Sequence, residues 1–135
     1  MNLSIRSFAG RRAVNRASAF TLVEIMIVVL IIGLLAMIAV PNVKRALEKA
    51  RLQAIKVNLR TIDSVKTQWA AENKKGGNDT PTEADLAPYF GGGKFPAKVV
   101  GETYQINSVD QPPAAISPSK LLDVPAGGTI LMEDQ

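Results

Sequence analysis

Residues 20–42 read FTLVEIMIVVLIIGLLAMIAVPN, and this stretch decides how the rest of the chain is organised. From residue 20 to residue 40, only Thr21, Glu24 and Gly33 are not apolar. With a rise of about 1.5 Å per residue, a helix over this run is roughly 31 Å long, which matches the ~30 Å hydrocarbon core of a bilayer. We therefore predict a transmembrane helix at residues 20–41, with a buried core helix and the apolar part of a secretory signal as alternatives.

The segment before the apolar run argues against a conventional secretory signal. The apolar part of such a signal has about 7–15 residues and is followed by a small-x-small cleavage triplet. Here the run is longer, and the triplet Ala17-Ser18-Ala19 precedes it. Residues 1–19 instead form a short cationic segment without acidic residues or apolar periodicity, and its basic side chains are Arg6, Arg11, Arg12 and Arg16.

A second helical pattern follows the apolar run without an intervening loop. Residues 42–75 are rich in good helix formers and contain no Pro or Gly, and Gly76-Gly77 ends the pattern. Pro41 cannot donate a backbone hydrogen bond and clashes with the preceding turn, so we expect a kink there and not a break. Apolar residues at steps of three and four predict one stripe that faces a partner, formed by Val43, Leu47, Ala50, Ala54, Ile55, Leu59, Ile62, Val65 and Trp69.

Residues 76–135 are rich in turns and predict a small α+β head. Thr82 and Asp85 have the spacing of a capping box, which predicts a short helix over about residues 83–90. Val99-Val100 and residues 103–107, joined by Gly101-Glu102, predict a hairpin. Weaker strand candidates are residues 114–117 and 129–132. The predicted fold class is α+β, with a long kinked N-terminal helix and a small antiparallel sheet packed on its distal half around Trp69.

The amino-acid composition excludes the most common catalytic side chains. The chain has 135 residues, with no Cys and no His. It therefore has no disulfide, no thiolate nucleophile, no Cys-based zinc site and no imidazole base. Gly91-Gly92-Gly93-Lys94 lacks the spacing and the Ser or Thr of a phosphate-binding loop and predicts a plain turn. We predict that the protein is not an enzyme.

The positive charge of the chain is unevenly placed. Four of the 16 basic residues lie in residues 1–19, which leaves 12 basic and 12 acidic residues in residues 20–135. A basic collar follows the apolar run, and it is suited to lipid headgroups or to solvent. Nucleic-acid binding would need interleaved aromatic side chains, and none is present there. The collar consists of Lys44, Arg45, Lys49, Arg51 and Lys56 against the single acid Glu48.

Glu24 is the chemically unusual residue of the apolar run. A carboxylate inside a membrane-length helix costs about 2.5–3.5 kcal/mol at the bilayer centre and less near the interface. Three explanations remain open on this residue alone: an interfacial side chain among headgroups, a first-turn acid that complements the helix dipole, or a functional group.

The sequence around Glu24 closely resembles the N-terminal signature of type IV pilins and type II secretion pseudopilins. The resemblance covers about residues 16–42 and rests on Ala19-Phe20-Thr21-Leu22-Val23-Glu24, on the helix-length spacing to Pro41, and on the cationic segment before it. It implies a leader peptide at residues 1–19, prepilin peptidase cleavage between Ala19 and Phe20, and N-methylation of Phe20. Family members usually have Gly before the cut, and Ala19 is a small-residue departure from that pattern.

The resemblance also implies a role and a location. The chain would be a filament subunit that assembles with copies of itself and other pilin-like subunits on an inner-membrane platform, with Glu24 neutralising the Phe20 amine of a neighbour. The charges flanking the apolar run do not decide its orientation. The topology of the family it resembles would place the leader in the cytoplasm and the head outside. We hypothesise that the basic collar of one subunit meets acidic heads of others. The alternative is an uncleaved single-pass membrane anchor that presents a small binding domain.

No cofactor is predicted, although major pseudopilins often bind calcium in the head. The chain lacks the spacing of a calcium-binding loop, so we interpret the acidic residues of that region as solvated surface. These residues are Asp110, Asp123, Glu133 and Asp134.

Overall fold

The computed structural model describes residues 20–132. The predicted leader with Ala19, and the acidic residues Glu133 and Asp134, lie outside the described residues. Helix α1 spans Leu22–Asn73 and is followed by helix α2 at Glu83–Leu86 and a 3-10 turn at Ala87–Tyr89. Three short strands complete the described chain: β1 at Thr103–Gln105, β2 at Ala114–Ile116 and β3 at Thr129–Ile130.

The chain divides after Met37 into two compact units. In the first unit, every large apolar side chain of the described residues is at least 51% exposed, and Phe20 reaches 81%. Within residues 20–132, α1 is the one helix long and apolar enough to cross a membrane, and none of its most apolar window is buried. An exposed apolar surface of this extent is typical of a segment that lipid or another apolar surface covers.

In the second unit, the distal part of α1 provides the main wall of a hydrophobic core. Ile55, Leu59 and Ile62 are fully buried, and Trp69 is 8% exposed. The predicted stripe is therefore confirmed from Ile55 onward. Its first part is not covered within the described residues, because Val43 is 65% exposed and Leu47 is 51% exposed. There the prediction of a partner-facing stripe stays a prediction. The helix continues through Pro41 without a break, as predicted.

The three strands form an antiparallel sheet in the order β1-β2-β3. Tyr104 pairs with Ala115, and Ala115 pairs with Ile130, so these three residues form a row across the sheet. All three are buried in the same core as Leu59 and Trp69 of α1. The α+β class and the packing of the sheet on the distal half of α1 are thus confirmed, as are the two weaker strand candidates.

The predicted hairpin across Gly101-Glu102 is wrong. Val99 and Val100 are not in a strand, because their backbone N–H groups donate to the side chain of Glu102 at 2.8–3.0 Å. Strand β1 pairs with β2 instead, across the loop 106–113. The capping box of α2 is confirmed, since Thr82 and Asp85 each accept the backbone N–H of the other.

Two buried charged side chains hold the loops of the head in place. Glu102 is fully buried and accepts a hydrogen bond from the Tyr104 hydroxyl, which in turn accepts one from Asn58 of α1 at 2.8 Å. Lys66 of α1 is also fully buried, and its ammonium donates to the carbonyls of Ile106 and Gln111 at 3.1 and 2.5 Å. Each charge is hydrogen-bonded, as burial of a charge requires.

Candidate assembly site

The first turn of α1 holds Glu24 in a reciprocal pair with Thr21. The Glu24 backbone N–H donates to the Thr21 hydroxyl oxygen at 3.2 Å. In return, the Thr21 backbone N–H and hydroxyl donate to Oε2 of Glu24 at 2.8 and 3.1 Å. This arrangement is a capping box, which satisfies backbone N–H groups that a helix start otherwise leaves without partners. It also fixes the position of the Glu24 carboxylate at the start of the helix.

Sequence reasoning missed this capping box. The signal was present, because Thr21-Leu22-Val23-Glu24 has the Thr-x-x-Glu spacing that defines the motif. The same rule correctly predicted the box at Thr82 and Asp85. Glu24 is therefore an acid of the first turn of α1, which is one of the three explanations that the sequence left open for it.

The capping box uses only one of the two carboxylate oxygens of Glu24. Both donors from Thr21 reach Oε2, and Oε1 accepts no hydrogen bond within residues 20–132. A carboxylate has room for several donors on its two oxygens, so Oε1 is available to a cation from outside the chain. A hollow beside the first turns of α1 is lined by the apolar side chains of Ile25, Met26, Val29 and Leu30.

The basic collar is divided in the structure. Lys44, Arg45, Lys49 and Arg51 are exposed, and none of them makes an ion pair with another residue in the part of the chain that the structure describes. Lys56 is different, because it is 6% exposed and has a partner in the structure. The interpretation of the collar as a lipid-facing or solvated surface therefore applies to four basic side chains and not to Lys56.

The acidic side chains of the head are the candidate ligands for a metal ion. Among residues 20–132, no three or more carboxylates come together in a group that could hold a metal ion. Asp110 has a structural position, since its backbone N–H donates to the carbonyl of Gly77 at 3.0 Å. A Cβ at Gly77 would lie 1.8 Å from Oδ2 of Asp110, so a side chain at residue 77 would displace the Asp110 carboxylate.

Comparison with known proteins gives two matches. The signature described as the prokaryotic N-terminal methylation motif matches residues 14–40, which include Phe20, Thr21 and Glu24. The type IV major pilin protein PilA of Myxococcus xanthus (strain DK1622) is 35% identical over 103 residues. That alignment covers 74% of this chain and 46% of the relative, so the chain spans about half of the length of the protein it resembles. No solved structure matches the chain significantly.

Proposed function

Because the chain belongs to the type IV pilin family, we propose that it is a structural subunit of a type IV pilus-like or secretion pseudopilus filament and not an enzyme. The observation that carries the proposal is Glu24, an acid held at the start of the exposed apolar half of α1 with Oε1 available to an outside cation. The methylation motif surrounds this residue in the sequence.

The cation that fits best is the amine of Phe20 in a neighbouring subunit. In the proposal, prepilin peptidase cuts between Ala19 and Phe20, and the new N-terminus of Phe20 is methylated. Cleavage creates a positive charge four residues before Glu24, at the same end of the helix. Both charges are then poorly hydrated near the membrane, so each gains more by pairing than it would at a protein surface exposed to water.

This pairing makes assembly selective. A subunit placed out of register would leave an unpaired carboxylate and an unpaired amine in an apolar environment, which is strongly unfavourable. In the same proposal, the apolar half of α1 lies in the inner membrane before assembly, with the head outside the cytoplasm. The helices then leave the lipid and pack together in the filament core, where apolar side chains from neighbouring copies replace lipid tails.

The test is the substitution Glu24→Ala, with Glu24→Asp as the matched control that keeps the charge. We expect Glu24→Ala, as the sole subunit in the cell, to reduce filament yield at least tenfold while the chain still fractionates with the membrane. Glu24→Asp should retain more assembly, since its carboxylate can still pair. Normal filaments from Glu24→Ala would contradict the proposal.

A second candidate is an uncleaved membrane anchor that presents the head as a binding domain. One observation favours it: Thr21 already gives the Glu24 carboxylate two hydrogen bonds without any neighbour. The intact mass of the membrane-extracted chain separates the two candidates. Loss of residues 1–19 with the gain of one methyl group supports the filament subunit, and a full-length chain supports the anchor.

A further inference from the structure

A groove of about 680 Å³ lies in the head, between the last turns of α1 and helix α2. Its walls are fixed by hydrogen bonds between lining residues. Nε2 of Gln68 donates to Oε1 of Glu72 at 3.0 Å, and Nδ2 of Asn73 donates to the Tyr89 hydroxyl at 3.0 Å. The first bond orders side chains along α1, and the second ties the end of α1 to the 3-10 turn. Its polar and aromatic lining includes Gln68, Trp69, Glu72, Asn73, Asp85 and Tyr89.

The chemistry of the groove favours a cation. Its charged lining residues are the two acids Glu72 and Asp85, and no Lys or Arg lines it. A third acid, Glu83, stands in the same short helix as Asp85. At the rim, the ammonium of Lys75 lies 5.9 Å from the centre of the Trp69 ring, which shows that this aromatic face already attracts a positive charge. Lys74 and Lys75 follow the groove residues of α1 directly, so the three acids and these two lysines leave a net charge of −1.

The chain itself carries a surface of the opposite character on α1. Residues 43–51 expose Val43, Leu47 and four basic side chains that have no ion-pair partner within residues 20–132. Glu48 is the one acid of this segment, so its net charge is +3, from four bases and one acid. At about 100° per residue, Arg51 and Lys44 lie on the same side of the helix as Val43 and Leu47, whereas Arg45 and Lys49 lie on the opposite side. An apolar strip beside unpaired Lys and Arg is unusual for a surface that faces only water.

We propose that residues 43–51 of α1 in a second copy of this chain dock against the groove formed by α1 and α2. This inference rests on the proposed function, since it concerns contacts inside a filament. The guanidinium of Arg51 is the best-suited group, because it can pair with Glu72 while stacking on an aromatic ring of the groove. Val43 and Leu47 then become covered by the head of the other copy.

The proposal sets the stagger between the two copies. The centre of the basic segment and the groove residues of α1 are separated by roughly 23 residues, which is about 35 Å along a helix at 1.5 Å per residue. The docked copies are therefore displaced by about that distance along the filament axis. Phe20 and Glu24 are only four residues apart, or about 6 Å along a helix, so the docked copies are not the pair linked through Phe20 and Glu24.

Cysteine cross-linking tests the contact directly, because the chain has no Cys of its own. Full-length subunits carrying Arg51→Cys and Glu72→Cys are assembled into filaments and oxidised. We expect a ladder of covalent multimers. The control pairs Arg51→Cys with Lys94→Cys, an exposed head residue outside the groove, and should remain monomeric. Intact filaments without a ladder from the first pair would overturn the inference.

Exchanging the charges of Arg51 and Glu72 provides an independent test. Arg51→Glu and Glu72→Lys should each lower filament yield several-fold, and the double variant should restore most of it. If both single variants assemble normally, or if the double variant is no better than either, the docking is wrong and the collar contacts lipid headgroups or solvent. Failure of the unaltered chain to form any filament would instead count against the proposed function, so the two failures are distinguishable.

Discussion

The two halves of α1 contrast in what covers them. In the distal half, Leu59 and Ile62 are fully buried by the head of the same chain. In the first half, Leu30 is 71% exposed and the whole apolar window is uncovered. The two halves belong to one helix, yet within residues 20–132 only the distal half finds an apolar partner. The first half therefore needs a cover from outside the described residues, which in the proposed function is lipid before assembly and other subunits afterwards.

The strongest test of this contrast places the same substitution in each half. Leu59→Ala should lower the free energy of unfolding of the head by about 2–5 kcal/mol, because it leaves a cavity in a packed core. Leu30→Ala should leave that free energy unchanged. Both are measured by denaturant unfolding of the full chain in detergent, with Trp69, the single tryptophan, as the fluorescent reporter.

If Leu30→Ala destabilised the head as much as Leu59→Ala, the first half would have a partner inside the chain, and the contrast would fail.

A smaller effect is expected from pH, through the buried carboxylate of the head. Burial of Glu102 opposes its charge, but hydrogen bonds from Tyr104, Val100 and Val99 outweigh burial and hold its pKa below the ordinary value of 4.5. A lowered folded-state pKa contributes stability that is present above pH 4.5 and is lost as the pH falls through the folded-state value. The head should therefore become less stable as the pH falls below this value.

The control for this pH effect is Glu102→Gln. We expect it to lower the unfolding free energy by about 1–3 kcal/mol at pH 7 and to flatten the acid side of the stability profile. Some slope should remain, since hydrogen bonds from Thr82 also lower the pKa of Asp85. An unchanged acid slope in Glu102→Gln would show that Glu102 is not the titrating group.

The smallest expected effect sharpens the contrast at the start of α1. Thr21→Ala removes the capping box and should weaken the first turn by about 1 kcal/mol. Faster amide hydrogen exchange at residues 22–25 in micelles would report it, with the rest of α1 unchanged. The matched control is Thr61→Ala in the distal half, where the hydroxyl donates only to the Val57 carbonyl. Equal exchange in Thr21→Ala and the unaltered chain would contradict the role of the cap.

The sequence predicted the features whose cause is local. The length of the apolar run specifies the first half of α1, and the Thr82–Asp85 spacing specifies α2. The hairpin failed because the side chain of Glu102 takes the N–H groups of Val99 and Val100, and strand propensity alone contains no such competitor. Which residues meet across the core depends on the fold of the whole head.

The burial of a charged side chain was the second feature that the sequence pattern did not predict. Lys66 lies four residues after Ile62 and three before Trp69, so helical spacing places it on the buried stripe. A stripe defined by apolar residues leaves it out, because its partners are two carbonyls some 40 residues later in the chain. At Val43 and Leu47 the reverse occurred: the pattern is apolar, and no described residue of the same chain covers it.

The buried Lys66 also provides a chemical probe of how often the head opens. Its amine is enclosed between α1 and the loop 106–113, and burial lowers its pKa despite the nearby carboxylate of Asp63. A reagent that acylates amines reaches exposed lysines such as Lys94 at once, but reaches Lys66 only when the loop detaches. The ratio of the two modification rates thus reports how often the loop 106–113 detaches from α1.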